Sequence, residues 1–218
     1  MAFTGIPRDA VAFYAELEAN NSREWWLANK QRYESSVRRP FVELGEEVAP
    51  AFGEPKVFRP YRDVRFSLDK TPYKTHQGLY VQRSAHNGWY LQVDSGGFLL
   101  AGGQWWMAGD QLSRFRSAVA NDATGVQLEA ILRELVEAGY VVEGEQLKTR
   151  PRGVDPDAPR MDLLRRKALS LNLRLGEPGW TSTPEAAEYV NDGWDELRDL
   201  VDWLETYVGN SEAPRGRR

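Results

Sequence analysis

Residues 78–101 read GLYVQRSAHNGWYLQVDSGGFLLA, and this stretch decides the fold class. Gly78 to Arg83 and Trp89 to Val93 are short runs rich in aromatic and β-branched residues, joined by Ser84-Ala85-His86-Asn87-Gly88. Such runs, bounded by turn residues, read as strands. Asp94-Ser95-Gly96-Gly97 then turns the chain into a third run, Phe98 to Ala101. Three consecutive strands with short connections predict an antiparallel meander that Gly102-Gly103 ends.

Upstream, the pattern is helical. Pro7 suits a first turn, and Val11, Phe13, Tyr14 and Leu17 form an apolar face over residues 7–19. Asn20-Asn21 ends that helix, and Asn21 with Glu24 stands at capping-box spacing for the next. Trp25, Trp26, Asn29 and Tyr33 follow at helical intervals, Pro40 interrupts, and Phe41, Leu44 and Val48 predict a third helix ending before Pro50. Downstream, Asp110 is placed to cap a helix bearing Leu112, Phe115 and Val119. Thr124 and Gln127 are read as capping another, bearing Leu128, Ile131, Leu132 and Leu135, and Tyr140 to Val142 is a short strand. From Ala168 to Leu175, leucines alternate with polar residues, the period-two signature of a half-buried strand. A final helix opens at Thr183-Pro184, with Val190, Trp194, Leu197, Val201, Leu204 and Val208 as its core stripe. The expected fold is α+β: a mainly antiparallel sheet flanked by N-terminal helices and a long C-terminal helix. Residues 1–209 are expected to form one domain and residues 210–218 a disordered tail.

Composition narrows the function classes. The 218 residues contain no cysteine and two histidines, which leaves no thiol chemistry and argues against a dedicated zinc site. No stretch approaches the roughly 18 apolar residues of a membrane span, and the first residues do not read as a signal peptide, so a cytoplasmic location is expected. The formal net charge of −4 is unevenly distributed. Residues 56–83 and 147–174 each carry a net +5, and the remainder of the chain carries −14.

The first basic segment contains Arg59, Arg62, Arg65, Lys70 and Lys74 together with Tyr73 and His76. Pro60 and Pro72 predict an extended, folded-back loop. Arginine suits bidentate capture of phosphate or carboxylate, and lysine adds a point charge. Asp63 and Asp69 are expected to clamp the basic head groups as structural support. His76, which titrates near neutrality without help, is a candidate acid or base, with Tyr73 and Lys70 as further candidates. The second basic segment presents Arg150 and Arg152 on a turn set by Pro151 and Gly153, and is read as a second wall of the same pocket. That reading is favoured if the strand from Ala168 lies beside the one from Gly78. The pairs Trp25-Trp26 and Trp105-Trp106 are compatible with base stacking, but regular structure turns one ring of each into the core. Three functions stay open: a small phosphorylated or carboxylated ligand held by the Arg/Lys cluster, a nucleic-acid-binding module, or a domain docking an acidic protein partner. The acidic composition disfavours the second. No metal, cofactor, reaction type or oligomeric state follows from these residues.

The string from Arg59 to Thr75, RPYRDVRFSLDKTPYKT, resembles the signature of the family named domain of unknown function 2461. The opening FYAELEANNSREWWLANKQRYE of residues 13–34 resembles that family's N-terminal motif, with Trp26 where the family usually has Phe. LKTRPRGVDPDAP at 147–159, followed by LLRRK at 163–167, resembles its third motif. The resemblance implies that the three motifs belong to one architecture across essentially the whole chain. It carries over no activity, cofactor or catalytic residue.

Overall fold

The computed structural model describes residues 3–65 and 68–213. Its sheet has six strands in the order β1-β2-β3-β4-β6-β5. These are β1 (Pro55–Val57), β2 (His76–Ser84), β3 (Asn87–Asp94), β4 (Gly97–Gln104), β5 (Val141–Glu143) and β6 (Leu169–Gly176). The sheet is antiparallel, and the fold is α+β. Contacts group the chain into two compact units. The first comprises Met1–Val81, Tyr90–Leu100 and Arg174–Gly193; the second comprises Gln82–Trp89, Ala101–Leu173 and Trp194–Arg218. Four strands therefore contribute residues to both.

In the first unit, α1 (Asp9–Ala19), α2 (Arg23–Tyr33) and α3 (Arg39–Phe52) supply Phe13, Tyr14, Leu17, Trp26, Tyr33, Phe41, Leu44 and Val48 to a core shared with Leu79, Val81, Leu91 and Val93. Arg32 ties α1 to α2, bonding both carboxylate oxygens of Asp9 and reaching Glu16 at 2.8 Å. Pro40 does not break the chain into separate helices. A π-helical turn, Glu34–Arg38, precedes α3, and the proline occupies the first turn of α3, where its missing N–H costs little. Pro50 likewise sits inside the last turn of α3 rather than beyond it. Beneath the helices, the Tyr33 hydroxyl donates to Gln77 Oε1 at 2.8 Å, and Gln77 Nε2 donates to the carbonyls of Phe58 and Gly78.

In the second unit, α4 (Gly109–Ala120), α5 (Asp122–Glu137), the short α6 (Met161–Leu164) and α8 (Arg198–Tyr207) enclose Phe115, Leu128, Leu132, Leu164, Leu169, Leu171, Trp203 and Leu204. Trp89 Nε1 donates to the Trp194 carbonyl at 2.9 Å. Arg160 closes the C-terminal end of α4 by donating to the Val119 carbonyl, and it pairs with Asp122.

Further local expectations change. Thr124 does not cap α5; the helix begins at Asp122, and the Asn121 side chain caps it by accepting from Ala123 N and Thr124 N. The long C-terminal helix is two helices, α7 (Ala186–Glu196) and α8, separated at Leu197, whose φ of −79° and ψ of −6° interrupt the regular turn. The glycines at 102 and 103 do not end the meander. β4 runs to Gln104, and Gly103 (φ +120°) permits close approach, because a Cβ there would lie 2.5 Å from the Leu169 carbonyl oxygen. Asp110 does not cap α4. It lies inside the helix and receives hydrogen bonds from Ser211 Oγ and Glu212 N, both at 2.8 Å. Of the tail expected to be disordered, Asn210 to Ala213 are thus hydrogen-bonded in place, and residues 214–218 lie outside the described residues. Among the described residues no helix is long and apolar enough to cross a membrane.

Replacing Tyr33 by Phe leaves the buried Gln77 Oε1 without its donor. We expect a loss of about 1–3 kcal/mol, read as a lower urea midpoint at unchanged m-value.

Candidate functional site

Residues 58–75 of the first basic segment connect β1 to β2, and the two described ends of this stretch fold back on each other. Tyr61 and Tyr73 make an antiparallel bridge, Arg62 N donates to the Pro72 carbonyl at 3.0 Å, and Lys74 N donates to the Pro60 carbonyl at 2.8 Å. The prolines accept in this pairing, which suits residues that lack an N–H. Asn21 anchors the loop base. Its side-chain amide donates to the Tyr73 carbonyl at 2.9 Å, and its carbonyl accepts from Tyr73 N at 3.1 Å. Asn21 is therefore not the cap of α2; Ser22 is, accepting from Trp25 N. Trp26, 2% exposed, stacks on Tyr73 with ring centroids 4.2 Å apart and an interplanar angle of 11°. Trp25 stays half-buried beside it.

Within this loop the charges divide into two groups. Arg62 pairs with Asp69 and donates to Thr71 Oγ1 at 2.6 Å. Asp69 also accepts from the backbone and hydroxyl of Thr71, and these bonds with Arg62 hold its carboxyl at about 2. Arg65 grips Asp63 through Nε at 2.9 Å and Nη2 at 2.6 Å, which likewise holds Asp63 at about 2. Both acids are thus poor bases near neutrality. Lys70 Nζ donates to the Val64 carbonyl. Tyr73 is buried, and burial raises its phenol above the ordinary range.

Lys74 belongs to the second group. It makes no ion pair or side-chain hydrogen bond with any described residue, and its ammonium lies 5.1 Å from the Phe58 ring centroid. Burial lowers its pKa, and repulsion from Arg59 and Lys56 lowers it further. Arg59 and Lys56 are exposed, and neither makes a salt bridge with a described residue, although Asp63 lies near enough to attract Arg59. Lys74 lines a pocket of about 450 Å³ with Arg62, Asp63, Thr75 and His76. The Thr75 hydroxyl and the His76 imidazole make no hydrogen bonds with described residues. His76 is half-buried; burial and the Lys74 charge lower its pKa, while Asp94 opposes them.

A polar ladder that our reading of the sequence did not single out runs along one face of β3. The Tyr90 hydroxyl donates to Gln92 Oε1 at 2.8 Å, and Gln92 Nε2 donates to Asp94 Oδ2 at 2.7 Å. Arg174 grips Asp94 at 2.9 and 3.0 Å, and Gly96 N adds a third bond. The alternation of Tyr90, Gln92 and Asp94 with the buried Trp89, Leu91 and Val93 was the available signal. Gly78 lets this ladder pass, since a Cβ there would sit 2.6 Å from the Tyr90 hydroxyl.

Apart from Arg174, which belongs to the first unit, the second basic segment lies in the second unit, where its cations are mostly engaged by backbone carbonyls and acids. Arg150 Nη1 donates to the Val154 carbonyl at 2.6 Å, Arg165 to the carbonyls of Leu147 and Lys148, and Arg166 to that of Glu143. Lys167 pairs with Glu145, and Arg152 is exposed. β6 lies beside β4 and β5, not beside β2, so the strand pairing that favoured a shared wall does not form. Nor does Trp105-Trp106 turn one ring inward: the rings are 46% and 50% exposed and flank His86. Among the described residues no group of acids and histidines is arranged to hold a metal.

Residues 9–203 match the family model described as conserved hypothetical protein (DUF2461), and the chain belongs to this family. No curated protein matches it.

Two outcomes follow from this geometry. Asn21→Ala removes both bonds to the Tyr73 backbone; a loss of about 1–3 kcal/mol is expected, with faster hydrogen exchange at the Tyr73 amide. His76 has a folded pKa below its unfolded value, so the unfolded chain takes the proton first. Its contribution is complete above about pH 6.5 and is lost as pH falls through the folded value. His76→Gln should flatten the fall in stability below about pH 6.5, measured by urea unfolding in phosphate-free buffer.

Proposed function

We propose that this member of the family binds a small phosphorylated or carboxylated ligand in the pocket beside Lys74. The observation that carries the reading is that three consecutive residues, Lys74, Thr75 and His76, line one pocket while their side-chain donors stay unused by the described residues. Lys74 supplies a partly desolvated charge, screened less by salt than an exposed one. Arg59 and Lys56 add positive field from nearby. Thr75 and His76 supply neutral donors, and Arg62, fixed by Asp69 and Thr71, presents an oriented guanidinium edge. Residue roles differ from a simple cluster of equivalent cations: Arg65 and Lys70 are committed to Asp63 and the Val64 carbonyl and stabilise the loop. The proposal is confined to residues of the first unit, and no reaction is assigned to it.

The test is thermal denaturation with phosphate and dicarboxylate compounds at constant ionic strength. A ligand at 100 times its Kd stabilises by about 2.7 kcal/mol, which raises the Tm measurably. Lys74→Met is expected to remove the rise, while the exposed Lys30→Met keeps it. A Tm that no such compound moves, or an unchanged rise in a folded Lys74→Met variant, contradicts the proposal.

A further inference from the structure

Charge at this pocket goes beyond a requirement for any anion. We propose, resting on the reading above, that the pocket takes a phosphomonoester or diphosphate head group carrying at least two negative charges, in preference to a carboxylate. Lys56 on β1 and Arg59 in the following chain both stand close enough to repel Lys74 at the end of the loop. No described carboxylate forms a salt bridge with any of them; Asp63, already gripped by Arg65, attracts Arg59 from farther off. The neighbouring acids are already neutralised locally: Asp63 by Arg65, Asp69 by Arg62 and Asp94 by Arg174. None of these three acids is left to offset Lys56, Arg59 and Lys74, which together carry +3. A monocarboxylate leaves +2 of it, whereas a dianion leaves +1, and a diphosphate neutralises most of it.

Donor number points the same way. Lys74 offers three N–H groups, Thr75 and His76 one donor each, and Arg62 an edge already oriented by two partners. A carboxylate has two oxygens in one plane. A terminal phosphate has three, arranged tetrahedrally, and meets donors that approach from separate positions on the chain. Asp63 on the lining would repel any anion, but its bidentate bond to Arg65 keeps that negative charge matched. The volume of about 450 Å³ admits a phosphate with an organic substituent of modest size.

The experiment ranks the thermal stabilisation produced by pyrophosphate, orthophosphate, sulfate, succinate and acetate at pH 7.5 and fixed ionic strength. Wild type, Lys74→Met and the double variant Lys56→Gln/Arg59→Gln are compared. The expected order is pyrophosphate first, then the two tetrahedral dianions, then succinate, with acetate last. The double variant, whose side chains are exposed, should fold normally and lose most of the advantage of pyrophosphate over acetate while keeping a small shift for each. Succinate matching pyrophosphate, with every shift abolished by Lys74→Met, would sink the phosphate preference and leave the pocket standing. Silence of all five anions would sink both. A single-stranded oligonucleotide without terminal phosphate that binds more tightly than pyrophosphate would replace the small-ligand class with nucleic acid.

Discussion

Asn21 places both ends of its side-chain amide on the backbone of Tyr73, across 52 positions of sequence. The candidate site depends on this clamp. Among the described residues of the stretch from Phe58 to Thr75, Tyr73 alone is buried, and the prolines cannot donate to a regular ladder. What holds it is the Asn21 bonds, the stacking of Trp26 on Tyr73, and the short bridge between Tyr61 and Tyr73. Once Tyr73 is fixed, Lys74, Thr75 and His76 enter β2 from a defined point, and their side chains reach a common pocket. The N-terminal helices thereby do more than cover the sheet: they position the residues that face the pocket.

Electrostatics then sorts a set of basic residues that look equivalent on paper. Exposed ion pairs contribute little stability individually, yet Asp63 and Asp69 have a large effect on which charges remain available. Each acid takes one arginine out of service as a free cation and fixes its geometry. Lys74 remains, with neighbours that repel it and a partly desolvated ammonium. Keeping such a group charged without a partner is unfavourable, and an incoming anion relieves that penalty. This physical asymmetry is what favours the proposed anion site over a surface ion-pair network.

The fold class was legible because it rests on local patterns. The meander of residues 78–101 and the alternating leucines near 169–175 encode strands through a period of two, and β2, β3, β4 and β6 occupy those stretches. Stretches where local signals competed came out differently. Asn21 has good capping chemistry, but Ser22 caps the helix, because Asn21 is engaged by a residue no local window contains. The apolar stripe of the final helix continues through Leu197 without revealing the break there, since periodicity reports which face is buried and not whether every turn is regular.

Composition and spacing by themselves determined that basic charge concentrates in two segments, that His76 lies in the first, and that prolines force that segment out of a helix. They also showed acids interleaved with arginines. Only the tertiary structure decided which acid takes which arginine, and therefore which cations are left over. Arg59, Arg62, Arg65 and Lys74 are alike in charge, and pairing is a matter of distances within a few ångströms that the order of residues does not specify. For the same reason the Tyr90-Gln92-Asp94 ladder and its closure by Arg174 emerged only with the fold. The sequence carries the chemistry of each group, while burial and proximity set whether that chemistry is satisfied internally or open to a ligand.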